Sequence, residues 1–146
     1  MPAGPRRTRR RRHRSQRVAL AGAGYIAVVH ALAAQAAGMR VHAVASAAGR
    51  SARHLAGELD ARRCRSADLP AGAEILVVAT PPRDHVALAL QGLRAGAAVL
   101  VEKPLTTSLA QADRLVDAGA VAPDSGPVRC AENLLHAPAW RELRRR

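Results

Sequence analysis

"RVALAGAGYIA", residues 17–27, decides the fold. Residues 17–22 form a short apolar run ending in Gly, the pattern of a buried strand. Residues 25–38, "YIAVVHALAAQAAG", place Ile26, Val29, Leu32 and Ala33 on one helical face, with Gly38 as the stop. Gly22 then permits the tight turn between strand and helix. Gly24 leaves the main chain bare where a pyrophosphate could approach, and Ala27 keeps helix and strand close. The N–H groups and positive dipole end of the helix would face that anion. The same turn could be merely structural, because small residues abound in this chain.

Strand and helix patterns alternate from there on. "RVHAVAS" (40–46) reads as a strand and "SARHLAGELDAR" (51–62) as a helix with Ser51 as its N-cap. "EILVVATPP" (74–82) is the clearest strand, closed by a Pro pair that defers the next helix to Asp84. That helix, 84–95, stops at Gly96. "AAVLVEKP" (97–104) is a strand, and Ser108 caps a helix that ends at Gly119. "GPVRCAEN" (126–133) reads as a last strand, and "APAWRELRRR" as the opening of a helix. The strands are apolar on both faces, which calls for a parallel sheet covered by helices on each side. Right-handed crossovers make it a doubly wound α/β sheet, a Rossmann fold. The expected organisation is a disordered Arg-rich arm at 1–16, one dinucleotide-binding domain at 17–133, and at 134–146 the start of a linker helix to a missing second domain.

Of 146 residues 49% are hydrophobic, enough for a core, yet there is no Phe, one Tyr and one Trp. The formal net charge of +12 sits mostly at the ends: residues 1–17 hold eight Arg and no acid, and the last six hold four Arg and Glu142. The middle is near-neutral. Cys64 and Cys130 lie far apart, nothing favours a disulfide between them, and no Cys/His cluster has metal-ligand spacing.

The basic start followed by an apolar stretch also resembles an export signal, even a twin-arginine one. Gly22, Gly24 and His30 interrupt that stretch, and cleavage after Ala37 would delete the first strand and the glycine turn. The folded, cytoplasmic reading is preferred, with export the minority alternative. The stretch is too broken for a spanning helix, which needs ~20 mostly apolar residues.

A dinucleotide fold usually carries Asp or Glu about 20 residues beyond its glycines, to bind the ribose hydroxyls. Here Ser46 stands 22 residues beyond Gly24, with Arg50 and Arg53 following and no acid nearby. Ser46 and Arg50 would accept a 2′-phosphate that a carboxylate would repel, which leans towards NADP over NAD. Otherwise Arg50 is a solvated loop charge.

Of 23 basic residues 22 are Arg; the one lysine is Lys103, in "VLVEKPL" (99–105). An ammonium is a compact, titratable donor, whereas a guanidinium is a planar fork that does not give up its proton. The lysine and "ATPPRDH" (79–85) follow successive strands, and in open parallel sheets ligands bind beyond the carboxyl ends of strands.

"GAGYIA" together with "AEILVVATPPRDHVALALQGLRAGAAVLVEKPLTTSLAQADRLVDAG" closely resembles the cofactor-binding domain of the Gfo/Idh/MocA oxidoreductases, over about residues 17–138. The Glu-Lys-Pro triplet after a "TP…H" strand end carries more of the resemblance than the glycine turn does. The resemblance implies hydride transfer between NAD(P) and a sugar, polyol or related hydroxy or carbonyl compound. It implies that Lys103 is catalytic, beside the nicotinamide and the reacting carbon. Gly22, Gly24, Tyr25, Ile26, Ser46, Arg50, Thr80, Pro81, His85, Glu102, Lys103 and Asn133 would contact or frame the cofactor. Glu102 would orient Lys103 or cap the strand end, Pro104 would fix the turn, and His85 would pack at a helix start. The chain departs from the family at Pro82, where a polar residue is usual, and at Leu135, where Arg is frequent.

Whole members of the family continue into a second domain that supplies the substrate pocket and the oligomer interface. The chain by itself is therefore expected to bind the nucleotide and to turn over poorly, since positioning is worth up to ~7–11 kcal/mol of barrier. A small-molecule substrate, a homo-oligomer or a partner subunit enters only with that domain. Two other function classes stand beside this one: a non-catalytic nucleotide sensor, and polyanion or nucleic-acid binding through the Arg arm, which would be salt-sensitive and sequence-blind.

Overall fold

The computed structural model describes residues 15–120 and 128–143. Nearly all of the expected Arg-rich arm lies outside the described residues. Six parallel strands make one sheet: β1 (Arg17–Ala21), β2 (Arg40–Ala45), β3 (Arg62–Arg63), β4 (Ile75–Val78), β5 (Ala98–Val101) and β6 (Val128–Cys130). Their spatial order is β3-β2-β1-β4-β5-β6. The helices are α1 (Tyr25–Ala36), α2 (Gly49–Glu58), α3 (His85–Arg94), α4 (Leu109–Ala120) and the short α5 (Pro138–Leu143). This is the doubly wound Rossmann arrangement expected from the alternating pattern.

The central strand shows why both faces must be covered. Val18 and Leu20 of β1 pack into the core shared with α1 and α2, while Ala19 and Ala21 pack into the opposite core, with α3. All four are at most 2% exposed. Full burial of a Val or Leu side chain is worth ~1.5–3 kcal/mol, so a two-sided apolar strand is stable only between two layers.

Helix α1 buries Ala27, Ala31 and Ala34, one stripe at helical spacing. The stripe expected from Ile26, Val29, Leu32 and Ala33 is not the inward one: Leu32 is 59% exposed and Val29 40%. The physical reason is proximity. A helix that begins straight after a tight turn from the central strand lies close on the sheet, and alanine is what fits beneath it.

Helix α2 begins at Gly49 with Ala48 as N-cap and no side-chain cap, so Ser51 lies inside the helix rather than at its start. It ends at Glu58, because Asp60 takes a left-handed conformation at φ 48°. That turn releases Arg62, expected to end the helix, together with Arg63 into edge strand β3. The second proline of "TPP" opens a 3-10 turn, Pro82–Asp84, instead of deferring helical structure to Asp84. A first-turn position needs no N–H, so proline is tolerated there. Ser108 caps α4 as expected, its Oγ accepting from the Gln111 N–H at 3.3 Å.

Candidate functional site

Strand order reverses between β1 and β4, and the residues leaving those two strands meet at the switch. The Gly22 N–H donates to Ala45 O and the Ala79 N–H donates to Ala21 O, each at 2.7 Å. Gly22 has φ +117°, and a Cβ there would lie 2.2 Å from Ala79 O. Only glycine allows β4 to run so close to the turn. Gly24 has nothing within 4 Å of where its Cβ would be, so its open side faces free space.

That space is a cavity of about 630 Å³. Its wall includes Gly22, Gly24 and Ser46 from the β1 and β2 ends, and Thr80, Pro81 and Asp84 from beyond β4. Helix α1 points its N-terminus here, with Gly24 as N-cap, no side-chain cap and no acid in its first turn. Thr80 Oγ1 is buried without a hydrogen-bond partner among the described residues. An uncapped helix start, a wall no Cβ obstructs and an orphaned hydroxyl together fit an anionic, hydrogen-bonding ligand.

A second cavity, of about 680 Å³, adjoins the end of β5. Ile26, Val29 and His30 of α1 are part of its lining, as are Glu102, Lys103, Cys130 and Asn133. Lys103 is exposed. Its main chain is held from both directions. Glu102 Oε2 accepts the Lys103 N–H at 3.1 Å, and Glu102 Oε1 is 2.8 Å from His30 Nε2. On the other side, Pro104 O is 2.9 Å from His85 Nδ1, while His85 Nε2 is 2.9 Å from Thr80 O. The Lys103–Pro104 peptide is cis. Burial, reinforced by the carboxylates of Glu132 and Glu102, pushes the Cys130 thiol up, which disfavours its thiolate.

The residues singled out in the sequence thus fall into two neighbouring groups. Gly22, Gly24, Ser46, Thr80 and Pro81 line the first cavity; Ile26, Glu102, Lys103 and Asn133 line the second. Both open at the carboxyl ends of parallel strands, so glycine turn and lysine share one edge of the sheet. Tyr25 stands 84% exposed at the start of α1 and lines neither. Arg50 is exposed on α2 and lines neither cavity. His85 is completely enclosed and stands behind the cavity wall, bonded to the main chain of both strand ends rather than facing a ligand. Two contributors had no sequence signal. The sequence marks Asp84 as a helix cap and His30 as an interruption in an apolar run, because a cavity wall and a partner 72 residues away leave no local pattern.

Among the described residues no group of three or more His, Cys, Asp or Glu could hold a metal ion, and no helix is long and apolar enough to cross a membrane. The model of an oxidoreductase family with an NAD-binding Rossmann fold, Gfo/Idh/MocA, matches residues 16–123. Solved structures agree. UDP-N-acetylglucosamine 3-dehydrogenase from Acidithiobacillus ferrooxidans is 27% identical with a TM-score of 0.79, over 90% of this chain and 41% of that one. The WlbA dehydrogenase from Chromobacterium violaceum, solved with NADH and UDP-GlcNAcA, is 26% identical with a TM-score of 0.81, over 90% of this chain and 39% of that one. A myo-inositol dehydrogenase assignment from Sinorhizobium meliloti is 27% identical with a TM-score of 0.78, over 90% and 40%. This chain spans about two fifths of the length of those structures. No curated protein sequence matches it significantly.

Proposed function

The chain belongs to the Gfo/Idh/MocA oxidoreductase family and is its NAD-binding Rossmann domain, and from that premise we propose how it serves a hydride transfer between a nicotinamide dinucleotide and a sugar, polyol or related hydroxy or carbonyl compound. The carrying observation is the switch-point cavity, with its uncapped helix start and the partnerless Thr80 hydroxyl. The main-chain N–H groups from Gly24 to Ala27 would hold the diphosphate, and Thr80 and Pro81 would line the cofactor. When bound, the nicotinamide supplies hydride exchange with the carbon that bears the substrate oxygen. Lys103 holds that oxygen: as ammonium it donates a proton to a carbonyl undergoing reduction, and as amine it takes the hydroxyl proton during oxidation. Glu102 and Asn133 frame the lysine.

Within this role NADP(H) is accepted as well as NAD(H). Ser46, just past β2, lines the cavity, no Asp or Glu follows it in the sequence before Glu58, and Arg50 lies in the first turn of the next helix. A 2′-phosphate beside Ser46 would meet a hydroxyl where the usual carboxylate would repel it. The substrate, any homo-oligomer or partner subunit, and turnover belong to the protein together with a second domain, which we place after a linker starting near residue 134. A cytoplasmic setting accords with β1 being the central strand, which cleavage after Ala37 would remove.

Titration of the chain with NADH and NADPH, followed by nicotinamide fluorescence, tests this. Saturable binding of both, tighter for NADPH, is the expected result. Binding of NADH alone would remove the NADP reading, and binding of neither at millimolar levels would overturn the whole.

A further inference from the structure

We propose that His30 is a positioning residue for Lys103, acting through Glu102, and that α1 thereby ties the dinucleotide seat to the lysine; this rests on the role given to Lys103 above.

The side chains of His30 and Glu102 are only 16% and 12% exposed. A carboxylate so placed needs partners for both oxygens. One oxygen accepts from the N–H of Lys103 itself, and the other is met by His30 Nε2 at 2.8 Å. Because the partner is a carboxylate, Nε2 is the nitrogen that carries the proton and donates. Without that donor, Glu102 would be free to turn towards water, and Lys103 N–H would lose a fixed acceptor.

The second link is the helix. Gly24, its N-cap, lines the first cavity; Ile26, Val29 and His30 line the second. One rigid element therefore touches both sites. Its Ala27, Ala31 and Ala34 stripe seats it on the sheet, so His30 has a fixed origin from which to hold Glu102. A residue fixed by packing and bonded to a ligand-facing group is what keeps a reacting side chain within a useful geometry.

The single lysine makes this testable. Growth on 15N-lysine gives one main-chain amide signal, that of Lys103. Its hydrogen exchange in the wild-type chain is expected to be slower than in an unstructured peptide. His30→Ala should speed it about tenfold, in line with loss of one hydrogen bond, and His30→Gln, which can still donate, should restore it to within ~2-fold. His30→Leu keeps the volume without the donor and should behave as His30→Ala does; it serves if His30→Ala fails to fold. Urea midpoints measured alongside separate a local loosening from a global one. A Lys103 signal and exchange rate unchanged in His30→Leu would overturn the proposal, as would failure of His30→Gln to restore them. Addition of NADH to the wild-type chain tests the other premise separately: a Lys103 signal that NADH does not move counts against the functional reading and leaves the positioning result standing.

Discussion

Two glycines two residues apart should fail in different ways when alanine replaces them. At Gly22 the new Cβ would stand 2.2 Å from Ala79 O and 2.7 Å from Ala79 C, both main-chain atoms of the neighbouring strand end. Neither can swing aside as a side chain would. The φ of +117° is also a conformation that alanine adopts at a cost of about 1–3 kcal/mol. Displacing packed structure adds ~1–3 kcal/mol, for a total of about 2–6 kcal/mol. A domain of this kind is stable by ~5–15 kcal/mol, so Gly22→Ala should move the urea midpoint down by about 1–3 M at an m-value of ~2 kcal/mol/M. At Gly24 the added Cβ meets nothing within 4 Å, and φ is an ordinary −84°. Gly24→Ala should therefore change stability by less than ~1 kcal/mol, the scale of an N-cap exchange. Its methyl would occupy the approach to the helix start and weaken NADH binding at least about tenfold, ~1.4 kcal/mol. Urea unfolding and NADH fluorescence on both variants decide the matter. Unfolding of Gly24→Ala as early as Gly22→Ala, or a Gly22→Ala chain as stable as the parent, would refute the reasoning.

Other expectations follow from the same geometry. Lys103→Met should leave NADH affinity within about tenfold, ~1.4 kcal/mol, because the proposed partner of the amine is the reacting oxygen; a larger loss in the fluorescence titration would make the lysine a nucleotide ligand. His85→Ala should cost ~2–5 kcal/mol by urea unfolding, since it opens a void in a completely buried position and removes the ring N–H that one of the Thr80 and Pro104 carbonyls accepts from. His42 gives a pH dependence. Burial, then the charges of Arg17, Arg62 and Arg40, hold its imidazole below the usual value of 6.5. The unfolded chain therefore binds the proton first, so His42 contributes stability above about pH 6.5 that is lost as pH falls through and below it. Urea midpoints from pH 7.5 to pH 5 should fall, and His42→Asn should flatten that slope.

The sequence by itself determined the layer plan and the chemistry of its edge. Two-sided apolar runs such as "RVALA" and "ILVV" demand cover on both faces, and periodicity alone reveals that demand. Glycines 22 and 24, the lone Lys103 and the Pro after it were legible because each is a residue type that a particular turn or reaction requires. Tertiary structure decided what depends on distance between remote segments. The inward stripe of α1 is alanine because of how close the helix lies to the sheet, which the spacing of Ile26, Val29 and Leu32 does not report. Strand β3 exists because the chain reverses at Asp60 and an edge was open beside β2. His85 is a brace between two strand ends, and His30 a partner for Glu102, because crossovers bring residues 19 and 72 positions away within hydrogen-bonding reach. A local pattern records which face of an element is apolar; which polar group meets which is fixed only when the layers close, since a buried donor takes the acceptor that packing leaves beside it.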